Sequence, residues 1–100
     1  MKKIINGKKY DTDTAKMLAS DGNGRSDFSR CYEELYRKKT GEFFLYGYGG
    51  PMSKYSRLIE NNWYGGGEDI TPLTEQEAKE WAERHCTVDE YEEIFGEVDE

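Results

Sequence analysis

The segment from Ser29 to Tyr48 most constrains the fold, because it places apolar side chains on both faces of one β-hairpin. Lys39-Thr40-Gly41 separates two strand-like runs, and a three-residue loop with glycine at its left-handed position sets Leu35 opposite Leu45. Phe43 then lies on the same side as this pair. The other side carries Tyr32, Tyr36, Phe44 and Tyr46. A hairpin that is apolar on both sides is typical of the centre of a sheet, so we expect helices over one face.

Further short strands and turns are predicted before the hairpin. Lys3 to Tyr10 contains Asn6-Gly7, whose residues tolerate the positive φ angles of a two-residue hairpin turn. Ala15 to Ala19 favours a short strand or a helical turn. The polar and glycine-rich cluster from Ser20 to Gly24 predicts a loop.

The segment after the hairpin is less regular. Met52 to Trp63 predicts a loop with a helical turn, and Gly65-Gly66-Gly67 predicts a flexible break. Glu68 to Leu73 has the composition of one more short strand.

Two short helices are predicted at the end of the chain. Thr74 with Glu77, and Thr87 with Glu90, have the spacing of capping boxes, and Gly96 is a typical C-terminal stop. Each capping signal precedes an apolar stripe at helical spacing. The stripes are Ala78, Trp81, Ala82 and His85, and then Val88, Tyr91, Ile94 and Phe95.

These patterns together predict an α+β fold, an antiparallel sheet of four or five strands followed by two short helices. The 100 residues fit a single domain. Within it, residues 1–73 are expected to form mainly β-hairpins and loops, 74–96 the two helices and 97–100 an acidic tail. Aromatic residues make up 14% of the chain, and their large buried areas compensate for its few aliphatic residues.

The sequence shows neither a secretory nor a membrane signal. Residues 1–6 lack the apolar run of a signal peptide, and no stretch approaches the length of a membrane span. Cys31 and Cys86 do not have metal-site or disulfide-framework spacing. We therefore expect a soluble cytoplasmic protein with reduced thiols.

No catalytic or cofactor motif is found. His85 is the only histidine, so a zinc site has too few ligands, and a Cys31–His85 nucleophilic pair depends on the fold. The glycine clusters match no phosphate-binding loop. Glu33, Glu34 and Glu42 could imitate an acid/base pair, but a chain with 21 acidic residues offers such pairs by chance. We expect a binding protein rather than an enzyme, with no cofactor, no metal and no small-molecule substrate.

The charge is unevenly distributed and suggests two candidate surfaces. Residues 1–57 carry 12 Lys and Arg against 7 Asp and Glu, whereas residues 58–100 carry 2 against 14. An acidic surface is predicted on the helices, where it suits a basic nucleic-acid groove of a partner. It comprises Glu75, Glu77, Glu80, Glu83, Asp89, Glu90, Glu92 and Glu93. The alternative is an RNA-binding hairpin that combines cations with stacking rings. It comprises Arg30, Tyr32, Tyr36, Arg37, Lys38, Lys39, Phe44 and Tyr46.

Several segments resemble a family of small orphan proteins carried by mobile genetic elements of Gram-positive bacteria. They are MKKIINGKKYDT (1–12), LYRKKTGEFFLYG (35–47), GGPMSKY (49–55), AKEWAE (78–83) and DEYEEIFG (89–96). Some small mobile-element proteins that are similar to this one inhibit the type II CRISPR effector nuclease. The resemblance therefore implies an anti-CRISPR protein, and it brings no catalytic residue with it.

The leading hypothesis is an inhibitor that binds the type II CRISPR effector, alone or with its guide RNA, and blocks nucleic-acid loading or access. Three alternatives stay open from the sequence. The first is an RNA-binding module. The second is a protein that processes guide RNA, with or without a metal bound by carboxylates. The third is an accessory regulator of a mobile element without a CRISPR role.

Overall fold

The computed structural model describes residues 1–23, 30–60 and 63–100. Their elements, in chain order, are β1 (Lys2–Ile5), β2 (Lys8–Asp11), β3 (Lys16–Asn23), β4 (Cys31–Arg37), β5 (Phe43–Gly49), β6 (Arg57–Glu60), β7 (Trp63–Gly65), β8 (Gly67–Leu73), α1 (Glu75–His85) and α2 (Val88–Phe95). A four-stranded antiparallel sheet has the order β3-β4-β5-β8. The predicted α+β class, with four strands in the main sheet and two helices at the end, is confirmed.

The central hairpin has the predicted register. Leu35 pairs with Leu45 across β4 and β5, and Gly41 in the loop has a φ of 94°, in the region that favours glycine. β4 and β5 are the two inner strands of the sheet. Ser29, which the prediction placed at the start of this hairpin, lies outside the described residues.

One face of the sheet packs against the helices. Leu35, Phe43 and Leu45 are buried there with Trp81 and the two alanines of α1. Both helices begin with the predicted capping boxes, at Thr74 and Thr87, and α2 ends at Gly96 with a φ of 96°. Of the predicted apolar stripe of α2, Tyr91, Ile94 and Phe95 are half-buried against this core, whereas Val88, the first residue of the helix, is 74% exposed.

The other face is covered at one end by the β1–β2 hairpin. Asn6 and Gly7 form its turn with φ angles of 52° and 77°, as predicted. Tyr10 of β2 packs on Tyr36, Phe44 and Ile70 of the sheet. Two ion pairs join the β1–β2 hairpin to the rest of the fold. Lys3 Nζ lies 2.6 Å from Asp69 Oδ1, and Lys8 Nζ lies 3.1 Å from Glu42 Oε2.

The loop predictions are partly wrong. Ser20 to Asn23 continue β3, because they pair with Cys31–Glu34 at the edge of the sheet, where polar residues and glycine are tolerated. Arg57–Glu60 and Trp63–Gly65 are antiparallel paired strands, where the prediction had a loop. Of the three glycines at 65–67, only Gly66 lies between strands. Gly24, Asn61 and Asn62 lie outside the described residues.

Candidate functional site

The acidic helix surface, defined by the eight predicted carboxylates of α1 and α2, faces away from the sheet. α1 buries Ala78, Trp81 and Ala82, and α2 packs its aromatic and aliphatic side chains against the same core. The remaining positions of both helices therefore face outward. Glu92 is half-buried, and seven of the eight are exposed, namely Glu75, Glu77, Glu80, Glu83, Asp89, Glu90 and Glu93.

Several of these carboxylates are already engaged within the protein. Glu77 and Glu90 close the capping boxes, each accepting a 2.9 Å hydrogen bond from the backbone N–H of Thr74 or Thr87. The other internal contacts are Glu75 with Lys79 Nζ at 3.8 Å, Glu80 with Gln76 Nε2 at 3.4 Å and Glu92 with the backbone N–H of Val98 at 3.1 Å. Glu83, Asp89 and Glu93 have no such partner among the described residues.

The electrostatics of this surface are strongly negative. Hydrogen bonds from the Thr87 backbone and hydroxyl hold the pKa of Glu90 below its ordinary value. Lys79 and Arg84 are the only cations in residues 74–100, against eleven Asp and Glu. The arrangement therefore attracts a cationic surface, with a strength that falls as salt screens the charges.

An apolar groove runs along the acidic helix surface. It has a volume of about 330 Å³ and is lined by Ala82, Glu83, Cys86, Thr87, Val88, Tyr91, Glu92 and Val98. Val88 and Val98 are 74% and 60% exposed. A groove with apolar walls and carboxylates at its rim resembles the anatomy of a protein interface, where an apolar centre is surrounded by polar groups.

The structure divides the predicted RNA-binding hairpin. Phe44 is fully buried and Tyr36 is 8% exposed, with their rings stacked at 5.1 Å beneath the edge of Tyr10. These two rings belong to the core, so they offer no face to a base. Lys38 Nζ lies 4.2 Å from the Tyr10 ring centroid and 3.4 Å from Glu42 Oε1. Its charge is thus used in holding down the covering hairpin.

The other members of that set lie nearer the surface. Arg37 is half-buried and Lys39 is exposed beside the hairpin loop. Tyr32 lies at the opposite end of the same face beside Tyr48, which is not among the eight predicted residues, and Tyr46 lies between the two ends and packs against the core around Tyr10. The guanidinium carbon of Arg30 lies 5.7 Å from the Tyr32 ring centroid. The eight predicted residues therefore do not form one continuous surface.

A buried carboxylate, Glu33, is the centre of a network that the sequence did not reveal. It is 4% exposed on the helix side of β4 and accepts from Tyr55 Oη at 2.5 Å and Trp81 Nε1 at 3.3 Å, with Lys54 Nζ at 2.8 Å. Burial raises the pKa of Glu33, but these hydrogen bonds outweigh burial and leave it below its ordinary value. Burial and the bond to Glu33 raise the pKa of Tyr55.

Gly47 leaves the space beside Glu33 that the Tyr55 ring occupies. A glycine within a strand is the feature of the sequence that could have indicated this close approach. Gly47 pairs with Glu33 across the sheet, and a Cβ there would overlap the Tyr55 ring. Glu34 lies on the other face, where it accepts from Tyr36 Oη at 3.0 Å, and Glu42 pairs with lysines. Glu33, Glu34 and Glu42, among which an acid/base pair was considered, therefore each have different partners.

His85 contacts other parts of the fold, and Cys31 and Cys86 are partly or fully buried. His85 Nδ1 lies 2.6 Å from Asp21 Oδ2, and its ring stacks on Trp81 at 4.6 Å, so the side chain ties α1 to β3. Burial raises the pKa of both thiols, Cys31 and Cys86, which disfavours the reactive thiolate.

The described residues contain no group of three or more His, Cys, Asp or Glu residues placed to hold a metal ion. Across the same ranges, no helix is long and apolar enough to cross a membrane. In comparisons with known proteins, no family model, curated protein or solved structure matches this chain significantly.

Proposed function

We propose that this protein is a non-enzymatic inhibitor that docks its acidic helix surface into a lysine- and arginine-lined nucleic-acid groove of a partner protein. The observation that carries the proposal is the exposure of Glu83, Asp89 and Glu93, which have no internal partner among the described residues, on the two helices that also carry a groove with apolar walls; Glu83 lines that groove. Charge attracts a basic partner and the apolar groove supplies area that is desolvated on contact.

The type II CRISPR effector nuclease is the partner to test first. The family resemblance implies it, and the effector holds its guide–target duplex in a positively charged channel. An acidic protein bound in that channel competes with RNA or DNA for the same cations. The proposal is therefore that the protein blocks nucleic-acid loading or access and leaves the RNA intact.

The RNA-binding alternative has weaker support. Its strongest stacking rings, Tyr36 and Phe44, lie in the core, and Lys38 is paired with Glu42. The rings that remain, Tyr32 and Tyr46, are half-buried, and the carboxylates of Glu34 and Glu68 on the same face repel a phosphate backbone.

The test is a target-cleavage assay with the purified effector and guide RNA, with the order of addition varied. Cleavage and RNA integrity are measured on the same gel. We expect loss of cleavage with intact RNA, strongest when the protein is added before the guide. Shortened RNA would replace the proposal with a nuclease, and no inhibition at large molar excess would remove the effector as partner and favour a mobile-element regulator.

Variants of the helices test the surface itself. Glu80, Glu83 and Glu93 are exposed and do not close a capping box, so their replacement by lysine leaves both helix N-termini intact. We expect this triple variant to require on the order of tenfold more protein for the same inhibition, since like charges then face each other. Glu97→Lys, Asp99→Lys and Glu100→Lys together form the control, because they make the same charge change in the tail. Equal loss in both variants would mean that net charge alone, and no particular surface, acts on the partner.

A further inference from the structure

The end of the sheet that the β1–β2 hairpin leaves open carries a cluster of tyrosines. Tyr32 of β4 pairs with Tyr48 of β5, and their rings stack at 5.1 Å with an interplanar angle of 20°. Tyr46 lies 5.5 Å from Tyr48 on the same face, and it borders the covered end because it also packs against the core around Tyr10. Tyr48 thus contacts both neighbours and is 38% exposed. We refer to Tyr32, Tyr46 and Tyr48 as the open tyrosine cluster.

Two carboxylates belong to the same face. Glu34 pairs with Tyr46 across the sheet, and Glu68 pairs with Tyr48. Tyr46 Oη donates a 2.6 Å hydrogen bond to Glu68 Oε2. A phenol that donates to a carboxylate gains electron density, which makes its ring a better acceptor for a cation. The cluster therefore combines aromatic faces with negative charge.

The protein already places one cation on these rings. The Arg30 guanidinium carbon lies 5.7 Å from the Tyr32 ring centroid, within the distance at which a cation is attracted to an aromatic face. Because Arg30 covers Tyr32, the more central ring of Tyr48 is the accessible one for a second cation. A planar guanidinium can stack on that ring and hydrogen-bond to Glu68 at the same time.

From these contacts we infer that the open tyrosine cluster, with Glu34 and Glu68, is a docking surface for arginine side chains of a partner protein. It lies on the opposite face of the sheet from the acidic helix surface and does not depend on the proposed function. Charge complementarity selects this occupant. Both carboxylates attract guanidinium groups, whereas the phosphates of a single-stranded nucleic acid, the other common ligand of exposed rings, are repelled by them.

The test is an NMR titration at low ionic strength with three probes: a hexa-arginine peptide, a hexa-lysine peptide and a single-stranded uridine hexamer. We expect the arginine peptide to shift the ring signals of the open tyrosine cluster and to bind more tightly than the lysine peptide. Tyr48→Leu should weaken the arginine peptide about three- to fivefold, the range for one exposed cation–π contact. Because Tyr48 is partly exposed, thermal unfolding of this variant should remain close to that of the parent.

Two control variants separate this surface from others. Tyr64→Leu removes a tyrosine that is 57% exposed on β7, outside the cluster, and should leave peptide binding unchanged. Replacing Glu80, Glu83 and Glu93 by glutamine should leave the ring shifts in place, so a failure of the proposed function does not affect this result. Ring signals that the arginine peptide leaves unmoved, equal binding of both peptides without dependence on Tyr48, or ring shifts caused by RNA alone would each overturn the inference.

Discussion

The two ends of the aromatic sheet face differ in what lies over them. At one end, Tyr36 and Phe44 stack beneath Tyr10 of the β1–β2 hairpin and are almost completely buried. At the other, Tyr32 and Tyr48 stack in the same way with no such cover among the described residues. The rings at both ends are aromatic side chains of β4 and β5 that lie on the same face of the sheet.

This difference shows that ring stacking across a sheet does not distinguish a core from an exposed surface. At the covered end the rings are shielded from water and contribute to stability through burial. At the open end the same stacking leaves Tyr48 38% exposed and Tyr32 half-buried. Changes at Phe44, Tyr36 and Tyr48 test this contrast, and a change at Glu33 tests the buried network on the opposite face. They run from the largest expected effect to the smallest.

Phe44→Ala should reduce the free energy of unfolding by about 3–5 kcal/mol, because it removes a fully buried ring and leaves a cavity beneath Tyr10. Urea unfolding followed by circular dichroism measures the change. A loss below about 1 kcal/mol would mean that the hairpin does not seal this end of the face.

Glu33→Gln should cost about 2–3 kcal/mol at pH 7, since the amide cannot satisfy Lys54, Tyr55 and Trp81 together. The lowered pKa means that the carboxylate stabilises the fold above its ordinary pKa and loses this effect as pH falls through the folded pKa. The gap between parent and variant should therefore narrow from pH 7 toward pH 3.

Glu34→Gln is the matched control for that experiment. The neighbouring carboxylate lies on the other face and contacts only the Tyr36 hydroxyl among the described hydrogen bonds, so its loss should cost less than about 1 kcal/mol. Similar costs for both variants would contradict the assignment of Glu33 to a buried network.

Tyr36→Phe should cost about 1 kcal/mol by removing the hydrogen bond to Glu34. Burial and that bond raise the pKa of Tyr36 to about 12, so the unfolded chain releases this proton first and stability falls as pH rises from about 10 to 12. The variant should lose less stability over that interval. Ultraviolet titration at alkaline pH should also show one late-titrating tyrosine fewer, and an unchanged titration curve would contradict the burial of this hydroxyl.

Tyr48→Ala should change the free energy of unfolding least, by less than about 1 kcal/mol, because only ring stacking at the surface is lost. The measurement is the same urea titration as for Phe44→Ala. A loss as large as that of Phe44→Ala would mean that the open end is part of the core, and the contrast between the two ends would fail.

Local signals in the sequence predicted much of the fold. Asn6-Gly7, the loop ending at Gly41 and the capping boxes at Thr74 and Thr87 each depend on a few neighbouring residues, and each prediction is confirmed. The predictions failed where pairing with a distant segment decides the structure. The loop-like residues from Ser20 to Asn23 extend β3 because β4 lies beside them.

The candidate surfaces follow the same rule. Helical periodicity alone places the carboxylates of α1 and α2 on the outer side, so their exposure could be predicted, as could the capping contacts of Glu77 and Glu90. The contacts of Glu75, Glu80 and Glu92 were not predicted. Neither the burial of Glu33 nor the separation of Tyr36 from Tyr32 has a local signal. Both depend on which segment packs on the sheet, Tyr55 and Trp81 in the first case and Tyr10 in the second.

The sequence by itself determined the first and central hairpins, the register of the central one, the two helices and the segregation of negative charge to them, because turns, caps and periodicity act within a few residues. Only the tertiary structure decided which aromatic rings are core and which are surface. Alternation along a strand assigns a side chain to one face of the sheet, but whether that face is buried depends on a covering element that is distant in sequence.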